Sequence, residues 1–289
     1  MSLIDIIILA VIQGLAELLP VSSSAHVVVA EKLMGLDPSS PPMTLLLVML
    51  HTGTMFAVIF YFWKQWRKTY FESGEKFKRA AVLLLLATIL TGLVGEGIIK
   101  VVEKTAFRGV PHAEIENLFG RLDLIAPALA AAGILILVAG LATKPGSTAG
   151  DTEAADISAG QASLIGAVQG LCLPFRGFSR SGATISTGML AGVSKASAEA
   201  FSFALAVILT PPVIAREGLR LLHAEHSGGG AGLASAVIPS LLGAVFSFAA
   251  GLLALKWLSQ WLERGRWYLF GIYCLAAAGV VFALYRVGY

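Results

Sequence analysis

The apolar positions of this chain fall into long runs that are separated by short polar segments. Six such runs lie at 43–63, 80–99, 122–143, near 198–216, 234–255 and 267–286. An α-helix needs about 20 mostly apolar residues to cross the hydrocarbon core of a bilayer, and each run comes close to that length. The pattern therefore predicts an all-α polytopic membrane protein with six full transmembrane helices.

Two further apolar stretches are interrupted by proline and by polar residues. Residues 3–33 contain the break Leu18-Leu-Pro-Val-Ser-Ser-Ser-Ala-His26, and residues 162–195 contain a break between Pro174 and Thr184. The arms of the first stretch are too short to span the membrane. Irregular backbone is tolerated at membrane depth only where protein or water surrounds it. We therefore expect two broken helical hairpins that dip into the membrane and return.

The two broken stretches share a short internal repeat. Val11-Ile-Gln-Gly-Leu15 recurs as Ala167-Val-Gln-Gly-Leu171, and ten positions after the glutamine stand Ser23 and Ser179. Three full spans, an odd number, separate the two copies, so the second copy enters from the opposite side of the membrane. This predicts an inverted-topology repeat. Its predicted units are the first half 1–143, a polar cytoplasmic linker 144–161 and the second half 162–289.

Composition and charge agree with a membrane protein and exclude some functions. The chain is 56% hydrophobic and 13% charged, whereas a soluble domain has about 25% charged residues. Its net charge of +3 is too small and dispersed to indicate nucleic-acid binding. The segment 64–79 is the most basic loop, so the positive-inside rule places it in the cytoplasm. With six spans, both termini are then expected outside the cytoplasm.

The second break has the composition of an anion-binding site. Arg180 keeps its charge, and its planar fork matches a phosphate or a carboxylate. Glycines, which let backbone N–H groups approach an anion, and hydroxyls surround it at Gly177, Ser179, Ser181 and Thr184. The alternative is that Arg180 only forms an ion pair with Glu17 that holds the two halves together.

The first break combines a carboxylate, hydroxyls and a histidine. Gln13 and Glu17 lie four positions apart and share a helix face. A glutamate in an apolar half-helix is a functional candidate, unless its side chain extends to the membrane surface. The hydroxyls that contact a ligand or cap a helix are Ser22, Ser23 and Ser24. His26 is expected to transfer protons, whereas His51 fits helix packing and site lining equally well.

Both breaks match motifs of a known family. Gln13–His26 resembles the first motif of the undecaprenyl-diphosphate phosphatases, the bacitracin-resistance membrane proteins, and Gly177–Ser186 resembles the second. Gly188–Ser194 and Phe201–Ala206 resemble the continuation, so the resemblance covers nearly the whole chain. It implies a fold with two re-entrant hairpins and six full spans. It also implies removal of the terminal phosphate from the C55 polyprenyl diphosphate carrier of cell-wall synthesis.

The resemblance also implies roles for individual residues. The implied functional positions are Glu17, Ser23, His26, Ser179, Arg180 and Thr184. Arg180 would clamp the transferred phosphoryl group, Ser23 or an activated water would attack, and His26 would act as acid and base. Glu17 would orient His26, take a proton or hold Mg²⁺ or Ca²⁺, a cofactor that the family implies. Further phosphate contacts are expected from Gln13, Ser22, Ser24, Arg176, Gly177, Ser179, Ser181 and Thr184.

Two positions depart from the family pattern. Gln13 stands where a second glutamate is usual, which removes one carboxylate from any site that would hold a metal with two. Arg176 stands where a proline is usual, directly before Gly177, and adds a cation that could contact the diphosphate.

The resemblance further implies a cellular setting and partners. We expect a multi-pass protein of the bacterial inner membrane whose site faces the periplasm or the outer leaflet. Its substrate would be a polyprenyl diphosphate lipid, which bacitracin sequesters, and a homodimer among membrane lipids is a further expectation. The alternative is a transporter or flippase of polyprenyl phosphate, because inverted repeats with broken helices at the midplane are typical of transporters.

Overall fold

The computed structural model describes residues 2–36, 41–106, 118, 120–142, 157–224, 233–263 and 266–289. This part of the chain contains α-helices and no β-strand. The helices are α1 (Leu3–Leu18), α2 (Ser23–Leu33), α3 (Pro41–Thr69), α4 (Gly74–Ala106), α5 (Leu122–Ala142), α6 (Ala159–Cys172), α7 (Arg180–Leu190), α8 (Lys195–Ala224), α9 (Leu233–Glu263) and α10 (Tyr268–Arg286).

Five helices within the described residues are long and apolar enough to cross a membrane. These candidate spans are Pro42–Thr69, Gly74–Thr105, Leu122–Ala142, Val237–Trp257 and Tyr268–Arg286. They agree with the predicted polytopic membrane protein. The sixth predicted span lies in α8, which is 30 residues long and contains Pro211 and Pro212. Its crossing of the membrane stays a prediction.

The long helices turn apolar side chains outward. On α4, large apolar side chains are exposed at Val82, Leu85, Ile89 and Leu93. Steps of three and four residues place these side chains on one helix face. An exposed apolar stripe of this length would be unfavourable in water, so it indicates a surface in contact with lipid.

The two predicted breaks separate pairs of short helices. Helices α1 and α2 have 16 and 11 residues, and α6 and α7 have 14 and 11. At a rise of about 1.5 Å per residue, none of the four reaches the thickness of a hydrocarbon core of about 30 Å. Because α1 packs against α2 and α6 packs against α7, each pair folds back on itself.

The same local signal begins both pairs. The Ser2 side chain accepts from the Asp5 N–H, and the Asp5 side chain accepts from the Ser2 N–H. Ser158 and Gln161 form the same reciprocal capping box at the start of α6. Ser158 follows Ser2 by 156 positions, which is also the separation of the two repeated glutamines. The internal repeat thus extends to the helix caps.

The predicted linker 144–161 ends earlier than expected. The Ser158 capping box starts α6 at Ala159, so the last residues of that segment are helical. Residues 143–156 lie outside the described part of the chain.

The helices of the two halves pack reciprocally. In the internal repeat, α1 corresponds to α6 and α4 corresponds to α9. Helix α1 packs against α9, and α6 packs against α4, so the first helix of each half contacts the equivalent helix of the other half. The glycine of each repeated Gln-Gly pair allows these contacts. A Cβ on Gly14 would lie 2.5 Å from Ala250 Cβ, and one on Gly170 would lie 2.8 Å from the Thr91 carbonyl oxygen. Small residues of this kind let membrane helices approach closely.

Candidate active site

The first break is a strained turn that starts α2. Ser22 has φ of 67°, and it is the one non-glycine residue with positive φ in the described part of the chain. It occupies the N-cap position, but its side chain makes no capping hydrogen bond. Instead its hydroxyl lies 3.3 Å from the Ser24 hydroxyl. Ser22 is therefore not the ordinary helix cap that the sequence offered as an alternative, and backbone strain of this kind is concentrated at functional sites.

The second break reaches the first one through its backbone. Gly177 has φ of 98°, and a Cβ there would lie 2.6 Å from the Ile125 carbonyl oxygen, so the position requires glycine. The Gly177 N–H donates to the Ser24 hydroxyl over 3.4 Å. Ser179 caps α7 by accepting from the backbone N–H three residues further on. Both breaks thus meet at the starts of α2 and α7.

The carboxylate of Glu17 is the point where the two breaks are joined. Its Oε1 accepts from Arg180 Nη2 at 2.5 Å. Its Oε2 accepts from the Ser23 hydroxyl and, at 3.1 Å, from Gln13 Nε2. The Glu17 and Arg180 side chains are only 14% and 24% exposed. The ion pair that the sequence suggested as one interpretation of Arg180 is present, and it links residues 163 positions apart.

Two buried polar atoms beside this ion pair have no hydrogen-bond partner among the described residues. They are Arg180 Nη1, a donor that carries part of a positive charge, and Gln13 Oε1, an acceptor. Buried polar groups are nearly always hydrogen-bonded, so each such exception needs an explanation. An anion would satisfy the arginine nitrogen, and a cation or a donor would satisfy the amide oxygen.

A cavity lies beside the ion pair. Its polar lining includes Glu17, His51 and Arg180, and most of the remainder is contributed by apolar and threonine side chains of α3 and α8. His51 Nδ1 donates to the Leu47 carbonyl oxygen at 2.8 Å, and His51 Nε2 lies 3.7 Å from Glu17 Oε2. Of the two alternatives left open for His51, the structure favours lining the site.

His26 is held by α10 and lies outside the lining of that cavity. Its Nδ1 lies 2.7 Å from the Ser22 carbonyl oxygen, and its Nε2 lies 2.7 Å from the Tyr273 hydroxyl. Because a carbonyl oxygen only accepts, Nδ1 carries a proton, and Nε2 of the neutral ring accepts from tyrosine. The two rings also stack, with centroids 5.7 Å apart. Tyr273 was missed by sequence analysis because it stands in an apolar span, 247 positions from His26.

Other predicted site residues lie close by but connect helices. Thr184 is fully buried, and its hydroxyl lies 2.6 Å from that of Ser202, which ties α7 to α8. The Ser181 hydroxyl lies 3.4 Å from the Leu19 carbonyl oxygen and donates across the two breaks. Arg176 is half-buried at the second break. The structure therefore gathers the predicted residues in one region, while only some of them face the cavity.

The donor set around Glu17 limits how a metal ion could bind. Within the described residues, no three histidine, cysteine or acidic side chains form a cluster that could hold a metal. The Glu17 carboxylate is a hard oxygen donor at this position, whereas the Gln13 amide directs its nitrogen to Glu17 and its unpartnered Oε1 is buried. Mg²⁺ and Ca²⁺ prefer such oxygen ligands. The protein would supply the Glu17 carboxylate at this position, and a bound diphosphate would have to supply most other ligands.

Comparison with known proteins places the two breaks in a wider context. The chain matches the model of a family described as bacitracin resistance protein BacA over residues 6–281. It is 61% identical over 287 residues to undecaprenyl-diphosphatase 2 of Acinetobacter baylyi, with 98% of each chain covered. It is 33% identical to undecaprenyl-diphosphatase of Desulfosudis oleivorans, with 95% of each chain covered. It is 34% identical to undecaprenyl-diphosphatase 2 of Burkholderia thailandensis, with 96% of this chain and 95% of that one covered.

Proposed function

The chain belongs to the bacitracin resistance protein BacA family, and we propose that it hydrolyses undecaprenyl diphosphate to undecaprenyl phosphate and phosphate. The reaction returns the lipid carrier for the synthesis of peptidoglycan and other cell-wall polymers. It supports bacitracin resistance because bacitracin sequesters the diphosphate. The observation that carries the proposal is the Glu17–Arg180 ion pair, whose guanidinium keeps one buried N–H group without a partner among the described residues.

Arg180 binds the terminal phosphate in this proposal. A phosphate group in the cavity would accept from Nη1 and compete with Glu17 for Nη2, which together form the bidentate fork that suits phosphate. Helices α2 and α7 both begin at the breaks, so the partial positive charge of each N-terminus supports an anion in the same place. Electrostatic stabilisation of this kind is the main contribution to phosphoryl transfer.

Ser23 is the proposed nucleophile, and an activated water is the alternative. Its hydroxyl donates to Glu17 Oε2, so the carboxylate is placed to receive the proton of the attacking hydroxyl. The acid/base role proposed for His26 requires that its Nε2 exchange the hydroxyl of Tyr273 for the substrate. The remaining phosphate contacts are proposed for the serines and glycine of the two breaks and for Arg176.

We propose Mg²⁺ or Ca²⁺ as the cofactor, and the residues present fit it in part. Glu17 would hold the ion together with oxygens of the diphosphate, and Gln13 would add its Oε1 only after its amide rotates, since its nitrogen faces Glu17. When bound, the ion would neutralise negative charge that develops on the phosphate oxygens.

The proposed setting is a bacterial inner membrane, with two re-entrant hairpins and six spans in an inverted-topology repeat. The reciprocal packing of α1 on α9 and α6 on α4 supports this arrangement. The predicted basic loop 64–79 consists of the end of α3, a short turn and the start of α4. These residues would lie in the cytoplasm, and the site would open to the outer leaflet. A reporter fused after Tyr289 should then be active only outside the cytoplasm, and activity only inside would overturn the topology. Cross-linking in native membranes tests the proposed homodimer.

The assay that tests the function is phosphate release from C55 polyprenyl diphosphate by the protein purified in detergent. We expect release by the wild type, loss in Arg180→Ala, and wild-type release in Arg286→Ala, whose side chain is exposed at the end of α10. Detergent removes the two sides of a membrane but leaves hydrolysis intact. Transport of polyprenyl phosphate in liposomes without phosphate release in detergent would instead establish the transporter, which the reciprocal packing of broken helices also favours.

A further inference from the structure

The two histidines near the breaks face different surroundings. Both nitrogens of His26 are engaged, one by the Ser22 carbonyl oxygen and one by the Tyr273 hydroxyl, and its ring stacks on that tyrosine. His26 is not among the residues that line the cavity beside Arg180, whereas His51 is. The cavity has a volume of about 20 Å³, which is enough for a water molecule. A water held there would therefore lie beside His51 without any rearrangement of the histidines.

Helix packing explains why His51 faces the cavity. The face of α3 that carries Leu50 and Gly53 packs against α9, where the Ser247 hydroxyl donates to the Leu50 carbonyl oxygen at 2.9 Å. His51, Met55 and Val58 follow one another by four and three positions, so they form the neighbouring face, and all three line the cavity. The His51 side chain is 43% exposed, which is more than a core histidine would retain.

The hydrogen bonds of His51 define what its free nitrogen can do. Nδ1 lies 2.8 Å from the Leu47 carbonyl oxygen and must carry a proton to donate to it. In the neutral ring, Nε2 then has a lone pair, and this nitrogen is directed to the site, 3.7 Å from Glu17 Oε2. This distance is too long for a direct hydrogen bond. It allows both atoms to contact one small molecule, such as a water.

We infer that His51 is a further catalytic residue, whose Nε2 accepts a proton from the water that attacks phosphorus. This inference rests on the hydrolysis proposed above and extends it by one residue. The charged groups that face His51 in the cavity are Glu17 from α1 and Arg180 from α7, while the described lining contributed by α8 is apolar apart from Thr210. Glu17 and His51 flank the water, and Arg180 holds the phosphate.

The step balances as a hydrolysis. The water oxygen forms a bond to the phosphorus of the terminal phosphate, or of a phosphoserine if Ser23 attacks first. One proton of that water passes to His51 Nε2, and the other stays on the new phosphate. The bond from phosphorus to the bridging oxygen, or to the serine oxygen, breaks, and its electron pair stays on that oxygen. His51 then gives its proton to the leaving oxygen or to water in the cavity.

The test compares two substitutions of His51 with a matched control. His51→Ala removes the ring, and His51→Gln keeps a polar side chain of similar reach that cannot accept a proton. The control is Thr52→Ala, because the Thr52 hydroxyl also donates to a carbonyl oxygen four residues earlier but does not line the cavity. Phosphate release from C55 polyprenyl diphosphate gives kcat and KM, and each assay is repeated with added imidazole.

We expect kcat to fall by about 10²-fold in both His51 variants, with KM within about threefold and with wild-type kinetics in the control. Imidazole should restore part of the kcat of His51→Ala, because the exposed site can admit the small base that the variant lacks. A kcat close to wild type in His51→Gln, or a loss in His51→Ala that imidazole leaves unchanged in a folded protein, would overturn the inference. Wild-type release of phosphate keeps these outcomes distinct from failure of the proposed hydrolysis itself.

Discussion

Replacement of Arg180 by lysine tests the proposed phosphate clamp most directly. The arginine uses two nitrogens for two purposes, because Nη2 lies 2.5 Å from Glu17 Oε1 while Nη1 is buried without a partner among the described residues. A lysine keeps the positive charge but concentrates it on one nitrogen, which cannot reproduce the fork. It can continue to pair with Glu17, so the buried carboxylate keeps a counter-ion. Alanine would instead leave that carboxylate uncompensated, at a cost of about 3–5 kcal/mol.

The expected loss in Arg180→Lys follows from one missing charged hydrogen bond to the phosphate. Such a bond contributes about 1.5–3 kcal/mol, and each 1.36 kcal/mol corresponds to about a tenfold change in rate. We therefore expect kcat/KM to fall by about 10- to 10²-fold, while the melting temperature in detergent stays near that of the wild type.

Phosphate release and thermal unfolding should be measured on the same preparation. The conservative control is Arg286→Lys, at the exposed end of α10, which should match the wild type in both assays. Near wild-type turnover by Arg180→Lys would refute the bidentate clamp, since a point charge would then be sufficient.

Four further substitutions test other parts of the site. Gln13→Glu should stay active and lower the half-saturating concentration of Mg²⁺ or Ca²⁺, because it adds a hard oxygen ligand beside Glu17; an unchanged concentration would mean that position 13 is not near the ion. Gly177→Ala should lower the free energy of unfolding by about 1–3 kcal/mol and the melting temperature with it, because φ at this position is 98° and the alanine Cβ would meet the Ile125 carbonyl oxygen. An unchanged melting temperature would contradict that close packing. Ser23→Ala and His26→Ala should each lower turnover by at least about 10²-fold, and the double variant should be little worse than the poorer single one; multiplying losses would assign the two residues to separate steps.

The helical organisation could be predicted from the sequence to a large extent. The long apolar runs in the sequence correspond to the five helices that are long and apolar enough to cross a membrane. Transfer of such a run from water to lipid is favourable whichever helices it packs against. The breaks were visible for the opposite reason, since Pro20 and the polar residues Ser22, Ser23, Ser24 and His26 cannot continue an apolar span. The repeated Gln-Gly pair also predicted that two segments would behave alike, and their capping boxes and glycine contacts do so.

The identity of the site residues was less predictable than their location. Arg180 and Glu17 were recognisable because a charge inside a broken apolar segment is costly and needs a partner. His26 had the same local signal, yet its nitrogens are engaged by Ser22 and Tyr273. Thr184 likewise contacts Ser202 instead of the cavity. A motif fixes which side chains are near a break, but it does not fix the direction in which each one points.

Sequence alone determined where the chain is helical, where it breaks and which charges lie at the breaks, because these depend on local hydrophobicity, capping and backbone preference. Tertiary structure decided which side chains meet, because the rotation of each helix about its axis is set by its neighbours. Gly53 allows α3 to approach α9, and that contact turns His51 towards Glu17. The position of Tyr273 beside His26 depends in the same way on how α10 packs, which no residue near either break encodes.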